Sequence, residues 1–333
     1  MFETILFGQL WGTPGWMWLA FIGIVITILA LDLGVLHKGT REISMSESLW
    51  MCAGYAALAA IFGAWVWWAH GAKDGLDFFT GYVVEYSLAM DNVFAIAMIF
   101  TYFAVPREYQ HRVLFWGILG VIVMRGIMIA LGAALIVEFS WILYVFGAFL
   151  VLTGIKMMLA GDKPMDLSKN PVLLWLRRHM RVTDNYHGER FFVNLPDKTS
   201  GKIVRHATPL FLCLVLVEAI DLVFAVDSVP AIFAITQDPF IVYTSNIFAI
   251  MGLRALYFAL AALVHRFRYL KYALAMILVV VGAKIFAVNI VGHVPAWLSL
   301  SVTISLLAGG ILLSLWKTRG EKAEAAATAV SKA

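Results

Sequence analysis

Apolar residues in this chain gather into nine long runs, at 16–36, 46–69, 77–103, 111–137, 141–160, 207–235, 240–264, 270–290 and 295–316, with short polar segments between them. A helix of about 20 residues crosses a hydrocarbon core of about 30 Å, so each run is long enough to be a span. The pattern predicts an all-α polytopic membrane protein with about nine transmembrane helices.

The polar segments alternate in charge. Lys38 and Arg41 follow the first span, and Arg107 and Arg112 flank the start of the fourth. The segment 161–206 holds nine Lys or Arg residues. Arg266, Arg268 and Lys271 precede the eighth span, and Lys317, Arg319 and Lys322 follow the ninth. Lys73 is the only base in the alternate segments. Basic loops stay on the cytoplasmic side, which puts the N-terminus outside and the C-terminus in the cytoplasm. That parity requires an odd number of spans, in agreement with nine. The start of the chain carries Glu3 and no base, so it lacks the basic region of a signal peptide and the first run is read as a permanent span.

Segment 161–206 has structure of its own. Leu174-Trp175-Leu176-Arg177-Arg178 reads as a short amphipathic helix at the membrane interface. Phe191-Phe192-Val193-Asn194 and Lys202-Ile203-Val204-Arg205, around a turn at Pro196-Asp197, read as a small hairpin. Beyond Gly320 the Ala-, Lys- and Glu-rich tail reads as disordered or as frayed helix.

Two stretches resemble each other. Asp91-Asn92-Val93-Phe94-Ala95-Ile96 aligns with Asp221-Leu222-Val223-Phe224-Ala225-Val226. Arg125 lies 34 residues after Asp91, and Arg254 lies 33 after Asp221. Gly154-Ile155-Lys156 likewise matches Gly282-Ala283-Lys284. The copies are spans three to five and six to eight, and three spans separate their starts, so the repeat is inverted. Inverted repeats characterise secondary transporters with a site near the bilayer midplane. The expected organisation is 1–76 (peripheral spans one and two), 77–160 (repeat one), 161–206 (cytoplasmic loop), 207–290 (repeat two) and 291–333 (span nine and tail).

Charges inside the spans mark the chemistry. A charge at the centre of a bilayer costs ~2.5–3.5 kcal/mol by insertion scales, so such residues are functional candidates by default. Span three holds Glu85, Asp91 and Asn92, and span six holds Glu218, Asp221, Asp227 and Ser228. Arg125 and Arg254 lie deep in spans four and seven as charge partners or gating residues. Five deep acids face two deep bases. The surplus carboxylates must be protonated, face water or hold a cation. Carboxylate and amide oxygens suit hard divalent ions such as Mg²⁺, Ca²⁺ or Mn²⁺, and no histidine lies near the cluster. Met90 is either packing or a softer donor that favours Mn²⁺ over Ca²⁺. Glu218 and Asp221 share a helix face, whereas Asp227 points elsewhere on a regular helix. A break at Pro230 would turn Asp227 toward the cluster; an ordinary kink would leave it in a separate vestibule. Lys156 and Lys284 are expected to snorkel from helix ends.

Composition narrows the classes further. Of the 333 residues 62% are apolar and 14% charged, where soluble domains carry about a quarter charged. The net charge of +4 belongs to the topology signal, so no nucleic-acid partner is expected. Cys52 and Cys213 both sit in apolar runs, which argues against a disulfide or a Cys-type metal site. No P-loop occurs, so ATP is not the direct energy source, and the Gly-x-Gly-Asp of intramembrane aspartic proteases is missing. The chain is expected not to be an enzyme and to need no organic cofactor.

The segments Gly81–Phe94, Val217–Ala234 and Asp238–Arg254 resemble the signature blocks of the TerC family, most closely its Alx-type bacterial members, over about residues 16 to 316. The resemblance implies the lysine-exporter-like superfamily, the bacterial inner membrane, and Mn²⁺ export. It marks the acids at Glu85, Asp91, Glu218, Asp221 and Asp227 as metal-site candidates, with Mn²⁺ as transported substrate. Crowded carboxylates can exchange protons for metal, so Mn²⁺/H⁺ antiport is the expected mechanism. The alternative is a membrane scaffold for metal or tellurite stress that recruits protein partners through 161–206.

Overall fold

The computed structural model describes residues 8–31, 44–159, 167–196, 203–260, 270–291 and 294–330. It is helical almost throughout. Helices α1 (Gly15–Leu31), α2 (Met45–His70), α3 (Ala72–Phe103), α4 (Arg107–Glu138) and α5 (Ile142–Leu159) follow one another closely. The connecting segment holds the short α6 (Pro171–His179) and an antiparallel hairpin, β3 (Phe192–Pro196) with β4 (Ile203–Ala207). Then come α7 (Pro209–Phe233), α8 (Pro239–Met251), α9 (Leu253–Leu260), α10 (Leu270–Val291) and α11 (Ala296–Val330). A two-residue ladder, β1 (Gln9–Leu10) with β2 (Thr13–Pro14), precedes α1. Among the described residues eight helices are long and apolar enough to span a membrane, α8 and α9 counting as one, and α1 is a shorter apolar helix. The chain is an all-α, multi-pass integral membrane protein.

Local chemistry sets the breaks between helices. Ser44 caps α2, its hydroxyl accepting the Glu47 N–H at 3.2 Å. Gly71, at φ +96°, separates α2 from α3 in a conformation that only glycine adopts easily. Ala104 ends α3 in the left-handed region, and Pro106 opens α4. Asn170 and Asp238 cap α6 and α8, each followed by a proline that has no N–H to lose at the first helical position.

The position of α3 is central, packed by α2, α7, α8 and α11. The most enclosed span is α8, with every residue from Phe240 to Met251 buried except Tyr243. Its polar residues therefore face protein rather than lipid. The aromatic cluster of Phe21, Phe62, Phe78, Phe240 and Phe248 joins α1, α2 and α3 to α8. The two halves of the chain meet through α3 and α4, each packed on both α7 and α8, and through α5, packed on α7 and α10. The α5–α10 contact is the closest. A Cβ on Gly154 would lie 2.6 Å from the Ala275 carbonyl, and one on Gly282 2.7 Å from the Gly147 carbonyl. Glycine at both positions lets two backbones touch.

Several expectations need correction. Span seven is interrupted at Gly252, so Arg254 begins a separate helix. Helix α7 is unbroken through Pro230. The tail takes the helical one of its two readings, continuing α11 to Val330. Lys284 lies within α10 rather than at its end, half-buried and in electrostatic contact with Asp77 and Lys73. Lys156 is exposed near the end of α5. The amphipathic helix and the hairpin form as expected, while Asp197 of the turn lies outside the described residues. Leu173 and Leu176 of α6 pack against Ala207 and Leu212.

Candidate functional site

The site begins with helix periodicity. On α7, Asp221 and Ser228 are seven residues apart and share a face, and α3 presents Glu85 and Asn92 with the same spacing. The α3–α7 packing brings these two polar faces together. Asn92 donates from Nδ2 to Oδ1 of Asp221 at 2.8 Å. Arg125 of α4 enters between the helices: its Nη1 donates to Oε1 of Glu85 at 2.7 Å and to the Ser228 hydroxyl, and its Nε lies 3.5 Å from Oδ2 of Asp221. Glu85 and Arg125 are each 1% exposed and Asp221 5%, so this is a buried network.

One guanidinium thus serves two carboxylates from different halves of the chain. In a low-dielectric interior such an arrangement is held by mutual neutralisation, and removing one member strands the others. The network is also incomplete. Oε2 of Glu85, Oδ1 of Asn92, Oδ2 of Asp221, Oε2 of Glu218 and Nε of Arg125 are buried without a hydrogen-bond partner. Most of these unmet atoms are oxygens, the donors a hard cation or its water would satisfy.

Two cavities adjoin the network. The larger, about 230 Å³, is lined by Glu85, Asp91, Asn92, Arg125, Asp227 and Ser228, among others. The smaller, about 20 Å³, lies toward the hairpin end of α7 and is lined by Asn92, Asp221 and Arg254 with apolar neighbours. The first has room for several waters and the second for about one. Asn92 lines both. Asp227 therefore reaches the same cavity as Glu85 and Asp91 from an unbroken helix. Phe224, Asp227 and Ser228 form the i, i+3, i+4 row that faces it. Thr153 and Lys156 of α5 are its polar neighbours.

The remaining candidates lie outside the hydrogen-bonded network. Glu218 lies against α4, where a Cβ on Gly120 would overlap its carboxylate. Asp91 has Lys271 as its charged neighbour. Arg254 is 2% exposed and lines only the smaller cavity. Among the described residues no three His, Cys, Asp or Glu side chains converge as a preformed metal cage. The arrangement is a charge-compensated pair with space beside it, in which Arg125 occupies the position of compensating cation.

Ser228 was noted in the sequence without a role, and the structure places it on Arg125. Asn246 of α8 was not singled out at all. It is 0% exposed, with neither amide atom hydrogen-bonded. The polar triplet Thr244-Ser245-Asn246 inside an otherwise apolar span is the signal that could have found it.

Comparison with known proteins matches residues 70–322 to the model of the "Integral membrane protein TerC family". An uncharacterized membrane protein of Myxococcus xanthus is 46% identical over 308 residues, covering 92% of this chain and 94% of the relative. An uncharacterized membrane protein of Rickettsia bellii is 45% identical over 298 residues, covering 90% and 96%. Alx of Escherichia coli (strain K12), named as a proposed membrane-bound redox modulator, is 45% identical over 314 residues, covering 92% and 95%. No solved structure matches the chain.

Proposed function

Since this chain belongs to the TerC family of integral membrane proteins, we propose that it exports a divalent cation, Mn²⁺, across the bacterial inner membrane in exchange for protons. The observation that carries the reading is the Arg125 bridge between Glu85 and Asp221, beside a cavity also lined by Asp91, Asn92 and Asp227. A divalent ion entering that cavity offers the carboxylates a second, stronger counter-ion. Arg125 is then displaced, and the oxygens without partners become ligands.

Energy must come from outside the site. Moving two charges out of a negative interior costs ~4.6 kcal/mol per 100 mV, twice the ~2.3 for one elementary charge. Protons moving inward onto the vacated carboxylates supply it. The two halves rock about the α5–α10 contact and open the cavity to one side, then the other. In this orientation the N-terminus is outside and segment 161–206 is cytoplasmic, where it is also available to protein partners. Manganese rather than calcium rests on the family. The two cysteines are free thiols on separate helices and give no dithiol for redox chemistry of this chain's own.

The test is the manganese content of an exporter-deficient strain carrying the protein, beside strains carrying Asp91→Asn and Asp221→Asn. Transport requires lower manganese with the native chain only, at equal protein levels. A scaffold would tolerate both substitutions and fail on deletions in 161–206.

A further inference from the structure

Helix α8 carries three consecutive polar residues with different fates. The Thr244 hydroxyl donates to the Phe240 carbonyl at 2.7 Å, and the Ser245 hydroxyl to the Val242 carbonyl at 3.2 Å. Each is satisfied within its own helix. Asn246 is fully buried, and neither Nδ2 nor Oδ1 has a partner. An unpaired amide in a protein interior is expensive, and a leucine, with the same branching and no polar atoms, would carry no such cost.

Its neighbours fix where it lies. Ser245 meets α3 at Gly81, one turn before Glu85, and Tyr243 meets α4 at Gly126, next to Arg125. Val242 packs with Ile129 and Val229, while Ile250 packs with Ile118 and Val121. Asn246 is four residues from both Val242 and Ile250, so it shares their helix face, on the row that meets α4 between Ile129 and Val121. The Glu85–Arg125 pair has unmet atoms of its own, Oε2 of Glu85 and Nε of Arg125. A buried donor and a buried acceptor thus stand unsatisfied on neighbouring helices.

We propose that Asn246 is a positioning residue of the cation site, whose amide takes up Glu85 when an ion displaces Arg125. Nδ2 donates to the freed carboxylate and holds it at the edge of the cavity. The amide is neutral, so it adds affinity without adding to the charge that must later be released. This deepens the transport reading and rests on it.

The test uses the purified full chain in detergent, with Mn²⁺ as the probe, and measures Mn²⁺-dependent thermal stabilisation together with the KM and kcat of Mn²⁺ flux in proteoliposomes. Asn246→Leu is expected to fold with an unchanged or higher melting temperature without metal. Its Mn²⁺ KM is expected to rise about tenfold, and the metal-dependent stabilisation to need correspondingly more Mn²⁺. Asn246→Gln, which keeps both the amide donor and the oxygen, is expected to hold the KM nearer the native value, whereas Asn246→Asp, which cannot donate to Glu85 when ionised, is expected not to. If Asn246→Leu does not fold, Asn246→Ala carries the same comparison. Native Mn²⁺ affinity in the apolar variants would overturn the inference while leaving transport intact. A native protein that neither binds nor moves Mn²⁺, like its Asp221→Asn variant, overturns the transport reading itself.

Discussion

Asn92 on α3 and Asp221 on α7 share a 2.8 Å hydrogen bond, and Asn92 lines the cavity on either side of it. The bond joins the wall between a space of about 230 Å³ and one of about 20 Å³. In Asn92→Ala the Asp221 oxygen loses its donor while remaining buried, a loss of about 1–3 kcal/mol. Unfolding of the purified variant in detergent measures it. An unchanged midpoint would show that the bond contributes nothing to the resting state.

Arg125 is the keystone of the same network. Replacing it with methionine strands Glu85 and Asp221 in the protein interior, at about 3–5 kcal/mol. The double variant Arg125→Met with Glu85→Met removes one stranded charge and is expected to recover a substantial part of that loss. A double-variant cycle by thermal unfolding checks this. Additive losses would mean that the 2.7 Å pair is not coupled.

The close approach of α5 and α10 predicts an inverted propensity effect. Glycine to alanine inside a helix ordinarily gains roughly 0.5–1 kcal/mol. At Gly282 the new Cβ meets the Gly147 carbonyl at 2.7 Å and the Leu150 side chain at 2.9 Å. Gly282→Ala is therefore expected to lower the melting temperature, and Gly23→Ala, with open space around it, to raise or preserve it. Equal behaviour of the two would remove the backbone contact as an explanation.

Much of this was legible in the chain. The apolar runs are the helices because lipid leaves the backbone no other way to satisfy its hydrogen bonds. The polar residues inside them locate the site because nothing else explains their cost. The partners of each charge were not legible. That Arg125 would serve both Glu85 and Asp221 depends on the rotation of α4 against α3 and α7, which sequence spacing does not specify. Spacing leaves Asp227 either turned inward by a break at Pro230 or set apart in a vestibule, and the structure takes neither course: the cavity extends around an intact α7 to meet it. The interruption at Gly252 is not legible because a glycine in an apolar helix gives no separate signal. Asn246 is not legible because a short polar residue beside Thr244 and Ser245 gives no sign of whether it finds a partner within its own helix.

A smaller prediction concerns the loop. The Tyr186 hydroxyl donates to the Phe103 carbonyl at 2.7 Å and ties segment 161–206 to the end of α3. Burial pushes this phenol up to about 12, so it remains a donor throughout the physiological range. Tyr186→Phe is expected to cost about 1 kcal/mol and to speed limited proteolysis within 161–206, while Mn²⁺ flux is retained. Loss of flux would tie the loop to transport itself.

The central claim is that cations cross through the carboxylates that Arg125 bridges. Its most direct test is Mn²⁺ flux in proteoliposomes under an imposed proton gradient, with the native chain beside Asp221→Asn. The account predicts gradient-dependent flux for the native chain and none for the variant. Equal flux in both, or native flux that persists unchanged when the gradient is collapsed, would contradict it.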